Sequence, residues 1–277
     1  MSRPYTVFVA VDAEGITGYV KWPKALPEEE WVRERMTEEV NAAIEGAAEA
    51  GAREFIVSDI HWDKQNIIPA KLFNGALLVR GGGRRYLWMD YVERTDLVFL
   101  IGFHAGCTAA GAVLPHTLDP RITSLQINGR EADEAFISAV TAGRFGVPVG
   151  LATGDTALTK EVLGYLPDIE VVAVKEGISC WSALHRHPKT VLEELRRAGR
   201  RAAERGIRGE FKPLYIEEPV KLTVSFSQPG YAWALSLVPG VERTGHNTVS
   251  YTGSWFSILN LLALFVNWFV RMPQLEA

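Results

Sequence analysis

Three short apolar runs in this 277-residue chain each stop at residues that bind metal ions or move protons. Val7-Phe8-Val9-Ala10-Val11 runs into Asp12-Ala13-Glu14-Gly15, the run at 54–58 into Asp59-Ile60-His61, and the run at 96–103 into His104. Residues two apart in extended chain project to one side, so Asp12 and Glu14 would set two carboxylates together. Such a pair repels unless a cation or a proton neutralises it. Mixed carboxylate and imidazole donors suit zinc or another borderline divalent ion, and the lack of a cysteine cluster argues against a structural zinc knuckle. Asp12 and Glu14 with His61 and His104 outnumber the three protein ligands usual for one catalytic zinc, which points to two metals. Asp59 reads equally as a ligand and as a capping or supporting acid. Taken alone, His116 after Pro115 is a loop residue and Glu134 a surface acid on a helix. His185, His187 and His246 read as structural or surface histidines, and no neighbour marks Cys107 as an activated nucleophile.

The elements that must bring these residues together alternate strand and helix. Val32, Met36, Val40, Ile44 and Ala47 recur at helical spacing, predicting a helix over 27–50 that Gly51 stops. A strand, a helix and a second strand in succession favour a parallel pair with a right-handed crossover. Residues 77–80 predict a short strand, and Gly81-Gly82-Gly83 after it a turn, because no helix with Lys-Ser/Thr follows to cradle a phosphate. A strand at 123–127 meets Asn128-Gly129, a tight-turn signal. Beyond it lie a helix over 131–142 carrying Glu134, a strand at 147–152 and a helix capped by Asp155. A strand at 169–174 and a helix over 188–205 complete this part. In an open sheet of this kind ligands bind beyond the carboxyl ends of the strands, so residues 12–104 can meet at one edge.

After Gly206 the pattern changes to the alternation of a half-exposed antiparallel strand, with Val220, Leu222, Val224 and Phe226 apolar, and Val249 and Tyr251 suggest another. The expected architecture is α/β: a mostly parallel sheet with flanking helices over 1–206, its metal site at the carboxyl ends of the strands. A smaller α+β domain over 207–277 ends in an apolar helix at 255–270. That helix is shorter than the roughly 20 residues a bilayer requires. Asn260 and Asn267 interrupt it, so it should be buried within the subunit or against a neighbour.

Composition narrows the function. Hydrophobic residues at 47% and charged residues at 22% are those of a globular protein, and a net charge of −4 gives no electrostatic case for nucleic acid or an anionic membrane. Two cysteines make no disulfide framework, and the N-terminus runs directly into the first strand without a signal peptide, so a cytoplasmic location is expected.

The ordered set Val11-Asp12-Ala13-Glu14-Gly15-Ile16-Thr17-Gly18, Ser58-Asp59-Ile60-His61, Gly102-Phe103-His104-Ala105, His116-Thr117, Ile127-Asn128 with Glu134, Gly154-Asp155, and Val174-Lys175 with Ile178-Ser179 resembles a known family. It is that of the zinc-dependent D-aminopeptidases encoded with bacterial dipeptide-transport systems, and the resemblance covers nearly the whole chain. It implies that Asp12, Glu14, His61, His104 and Glu134 ligate two zinc ions per subunit, with Asp12 the bridge. It also implies that His116 is a catalytic histidine near the metals and that subunits form a homodecamer of two stacked pentamers. The implied reaction is hydrolysis of the first peptide bond of a short peptide, and a preference for D-residues comes from the resemblance alone. The residues by themselves also allow another amidohydrolase or phosphoesterase, or a non-catalytic metal-dependent peptide-binding protein. The terminal helix is more aromatic and apolar than the family pattern, and Trp62 and Trp181 differ from the commoner residues at their positions.

Overall fold

Strand β1 (Thr6–Val11) is buried along its whole length, as a run apolar on both faces requires. In the computed structural model, which describes residues 3–23 and 27–267, it lies inside a seven-stranded sheet. Helix α1 (Glu30–Glu49) carries the chain back, and β2 (Glu54–Asp59) pairs parallel to β1 with Asp59 beside Val11. Strand β3 (Leu77–Val79) extends that side, while β4 (Leu97–Ile101) takes the other flank of β1, with Ile101 beside Val11. The chain then leaves this sheet for β5 (Ile122–Ile127) and β6 (Arg130–Glu131) and returns through α2 (Glu134–Gly143) to β7 (Val149–Asp155). Helix α3 (Thr156–Leu163), β8 (Glu170–Ser179), β9 (Ser182–His185) and α4 (Pro188–Ile207) follow. The strand order is β3-β2-β1-β4-β7-β8-β9, every pairing parallel except the last. The order reverses direction between β1 and β4. In open α/β sheets that switch point is where a crevice opens at the carboxyl ends.

Strand β8 is longer than the strand expected at 169–174, running to Ser179 and turning back as β9. The extension escaped the apolar pattern because this outer hairpin is largely solvent-facing. The remaining elements are β10 (Val220–Phe226), α5 (Pro229–Leu235), β11 (Glu242–Arg243), β12 (Thr248–Gly253) and α6 (Trp255–Asn267). A second, antiparallel sheet has the order β11-β12-β10-β5-β6. It therefore draws strands from both sides of residue 206, where the sequence placed a domain boundary. Asn128 (φ +51°) and Gly129 (φ +80°) make the tight β5–β6 turn, the geometry for which an Asn-Gly pair is suited.

Helix α2 is buried at every residue, consistent with its lack of a charged outer face. The indole N–H of Trp88 donates to its Ser138, and that of Trp255 to its Thr141. Helix α6 buries Trp255, Ile258, Leu259, Leu262 and Phe265, the last packing on Phe226 of β10, and leaves Asn260 exposed. The apolar face expected of this helix is thus covered within the subunit, and positions 268–270 of the expected helix lie outside the described residues. Among the described residues, no helix is long and apolar enough to cross a membrane.

Helices α1 and α4 cross with their backbones nearly touching. A Cβ at Gly46 would lie 1.9 Å from the carbonyl oxygen of Arg196, and one at Gly199 2.3 Å from that of Ala43. Gly46→Ala must therefore push the helices apart, at a cost of about 1–3 kcal/mol. Calorimetry should show a melting temperature several degrees lower, and an unchanged value would contradict this account of the crossing.

Candidate metal centre

The chain does not stay extended past β1. Asp12 N–H still donates to Ile101 across the sheet at 2.9 Å, but a turn closes immediately after it, with Ile16 N–H donating to Ala13 at 3.1 Å. This turn, rather than strand alternation, brings Glu14 back beside Asp12. Gly15 is needed because its N–H donates to Gly102 at 2.7 Å and a Cβ there would meet the Phe103 carbonyl at 1.9 Å. The loop is pinned from below. Buried Lys175 donates through Nζ to the carbonyls of Glu14, Ile16 (3.0 Å) and Tyr19 (2.6 Å), and Glu39 Oε1 accepts from Thr17 N–H at 2.8 Å.

His61 follows β2. Asp59 does not face the centre: its carboxylate accepts from Asn66 and Ile67 N–H groups, the latter at 2.8 Å, and from Asn66 Nδ2 at 3.0 Å. It closes the loop after His61, which is the supporting one of its two readings. His104 follows β4 and donates Nδ1–H to the Ala105 carbonyl at 3.0 Å, turning Nε2 inward. His116 is fixed the same way by the Leu114 carbonyl at 2.9 Å, its ring stacked on His104 with centroids 3.8 Å apart. Glu134 opens α2 rather than lying on a solvated face. Asp133 caps that helix at Phe136, and Glu134 Oε1 accepts from Leu118 N–H at 2.8 Å.

These residues converge in two halves joined by Asp12. Asp12 Oδ1 lies 3.2 Å from His61 Nδ1, and Oδ2 lies 3.4 Å from His104 Nε2. Glu14 Oε2 stands 2.9 Å from His61 Nδ1 on one side, and Glu134 Oε1 3.3 Å from His104 Nε2 on the other. Donor atoms of Asp12, Glu14 and His104 fall within 4.8 Å of one another, as do those of His104, His116 and Glu134. Apart from these ion-pair approaches, which lack hydrogen-bond geometry, buried Glu14 Oε2 and His104 Nε2 have no hydrogen-bond partner among the described residues. Buried polar atoms are rarely left so, and a divalent cation between them would satisfy both. The donor set fits zinc in type and in convergence.

The electrostatics show the same demand. Burial, and then the charge of Glu14, raises Asp12 to about 7. Burial opposes charge on Glu14 and Glu134 too, but the imidazoliums of His61 and His104 hold them below the usual carboxylate range. Burial disfavours charge on the two histidines, yet Glu14 with Asp12 and Glu28 holds His61 well above its ordinary value, and Glu134 with Asp12 takes His104 to about 10. His116 is pushed down by burial and by His104. Protons on two imidazoles thus stand where metal charge would otherwise lie.

Two further participants, Glu28 and Trp22, carry no signal in the sequence pattern. Glu28 Oε1 lies 3.0 Å from His61 Nε2 and accepts from the Tyr19 hydroxyl at 2.6 Å; Trp22 donates Nε1–H to Glu14 Oε1 at 2.5 Å. Glu28 and Trp22 sit in an aperiodic loop, so spacing could not tie them to the centre. Lys175 was detectable as a lysine following an apolar run, although nothing in the sequence said what it holds. Glu28 sets the His61 ring so that Nδ1 faces Asp12 and Glu14. Glu28→Ala should therefore weaken zinc binding about 10–100-fold in chelator competition, with Glu28→Gln, which keeps an acceptor, losing less. Unchanged affinity in the alanine variant would contradict this role.

Known proteins resemble this chain over most of its length. The profile of peptidase family M55, described as D-aminopeptidase, matches residues 5–264. A D-aminopeptidase of Bacillus subtilis (strain 168) is 29% identical over 262 residues, covering 88% of this chain and 90% of that protein. The structure of the Zn-dependent D-aminopeptidase DppA from Bacillus subtilis, described as a self-compartmentalizing protease, aligns with a TM-score of 0.86 at 25% identity. That alignment covers 97% of this chain and 99% of DppA. This chain belongs to the D-aminopeptidase family of peptidases.

Proposed function

We propose that this protein is a two-zinc aminopeptidase that removes the amino-terminal residue from short peptides containing D-amino acids. The observation that carries the reading is Asp12, whose two oxygens face two different histidines at 3.2 and 3.4 Å. In that position it would bridge two ions, with Glu14 and His61 completing one set of ligands and His104 and Glu134 the other. Asp12, Glu14 and Glu134, with Glu28 behind His61, are the buried acids that two divalent ions would offset. Bound zinc supplies a Lewis acid for the scissile carbonyl and lowers the pKa of water toward neutrality. His116 presents Nε2 toward the same space, its Nδ1–H being committed to Leu114. Kept neutral by burial and by His104, it takes the proton of the attacking water and passes it to the departing amine. Trp22 steadies Glu14, and Glu28 steadies His61. The preference for D-residues is supported by the name shared by the family and its relatives.

A self-compartmentalizing relative supports a closed homo-oligomer, for which a decamer is the form the resemblance implies. Ile178, Trp181 and Leu184 on the β8–β9 hairpin, all more than half exposed, offer apolar surface for subunit contacts. Free Cys107 and Cys180 accord with a reducing cytosol.

Calorimetric titration of metal-free protein should give about two zinc ions per subunit, with protons released on binding. Without metal, His104 already carries its proton at pH 8 and Asp12 takes one up through about pH 7; zinc must displace both, so affinity should fall, and fall more steeply, as the pH drops from 8 to 6. Affinity independent of pH would contradict the ligand assignment. Release of the first residue from D-configured dipeptides should exceed that from L-configured ones and disappear on chelation. Asp12→Ala should lose zinc and turnover together, whereas His116→Ala should keep zinc and lose about 10²–10⁴-fold in kcat. Full activity in metal-free protein would overturn the proposal, and normal turnover by His116→Ala would remove its proton-transfer role.

A further inference from the structure

The centre lies at the floor of a cavity of about 530 Å³, a volume ordinary for a small-molecule site. Seven non-glycine residues among those described have left-handed backbone, and four of them line this cavity: Trp62 (φ +46°), Lys64 (φ +61°), Leu87 (φ +61°) and Leu118 (φ +66°). A bulky L-residue avoids this region, and where surrounding structure imposes it the strain tends to gather at ligand-binding sites. Here the imposed positions put large apolar side chains into the space above the centre.

Two of the three apolar members, Trp62 and Leu118, are anchored by metal-centre residues themselves. Trp62 follows His61 directly and stands edge-on to its ring, centroids 5.9 Å apart at 78°. It stays 45% exposed, with its surface turned to the cavity. Leu118 is held from the opposite half, its N–H donating to Glu134 at 2.8 Å. Leu87 precedes Trp88, whose indole is fixed on Ser138 of α2. One strained apolar residue therefore adjoins each half of the centre, with Leu87 as a further part of the wall.

We propose that Trp62, Leu87 and Leu118 form a side-chain subsite that selects short peptides with a bulky apolar or aromatic residue flanking the scissile bond. This rests on the aminopeptidase reading and adds the substrate class to it. An alanine side chain would leave Trp62 in contact with water, whereas a leucine or phenylalanine side chain would cover it and release that water. The wall residues sit on loops, two of them tied by Asp59 and Glu134 and the third through Trp88 to the buried helix α2, so selection would not depend on closure of a lid.

The test compares kcat/KM of the zinc-loaded enzyme on matched D-configured dipeptides carrying alanine, leucine or phenylalanine at the first or the second position. A bulky residue at one of these positions should raise kcat/KM about tenfold or more over alanine. Trp62→Ala should reduce that ratio about fivefold or more, mainly through KM, and Trp62→Phe should keep most of it. Leu118→Ala should lower the same ratio, an independent check if the tryptophan variant folds poorly by circular dichroism. Equal cleavage of alanine and bulky dipeptides would overturn the subsite while leaving the aminopeptidase reading intact. No cleavage of any D-peptide would take both down. An unchanged ratio in Trp62→Ala together with a smaller sedimenting species would make Trp62 a subunit contact and overturn the inference.

Discussion

Four acids, Asp12, Glu14, Glu28 and Glu134, lie buried around one point at the carboxyl ends of the strands, and the rest of the molecule answers to their charge. Two like charges about 4 Å apart repel by about 4 kcal/mol at an effective dielectric of 20. The chain alone meets this by placing His61 and His104 between the acids and raising both imidazoles above their ordinary pKa. That arrangement sets two imidazoles against four acids, and it is incomplete in hydrogen bonds as well, because Glu14 Oε2 and His104 Nε2 are left without hydrogen-bond partners among the described residues. A centre that must be neutralised and is not fully satisfied by protons is one suited to exchanging them for metal.

The fold supplies this convergence by topology. Strand order reverses beside β1, so the loops after β1, β2 and β4 open toward one crevice, and each contributes a donor. The antiparallel sheet and α6 enclose α2, whose first residue is Glu134, so an acid that would prefer water is held at the crevice by a helix buried on all sides. Support is layered beneath the donors. Lys175 and Glu39 hold the loop of Glu14, Asp59 closes the loop of His61, and Asp133 caps the helix of Glu134. Such ties keep side chains at fixed distance when charge repulsion would separate them.

Much of this was legible in the sequence, for physical reasons. Short Val-rich runs apolar on both faces read as buried strands of a parallel sheet, and ligands of such a sheet gather beyond its carboxyl ends, which is why Asp12, Glu14, His61 and His104 could be grouped without coordinates. Asn128-Gly129 announced its turn, and Asp155 caps α3 through Leu158 as expected. Other features were hidden. Extended geometry at Asp12 and Glu14 gave the right neighbours through the wrong conformation, since the signal of Gly15 is a close approach to Phe103, 88 positions away. Glu28 is invisible because a buried acid in an aperiodic loop looks like any surface glutamate until its partner is placed. The pairing of β5 with β10 is a long-range contact that local alternation does not encode. Left-handed Trp62 and Leu118 are likewise set by surroundings against their own preference.

The central claim is that one carboxylate, Asp12, joins two metal positions. Anomalous diffraction at the zinc edge from zinc-loaded crystals tests it directly. The account predicts two peaks in each subunit, one between Asp12, Glu14 and His61 and the other between Asp12, His104 and Glu134, at bonding distance of about 2.0–2.2 Å from the donor atoms. A single peak, or two peaks that do not share Asp12, would contradict it.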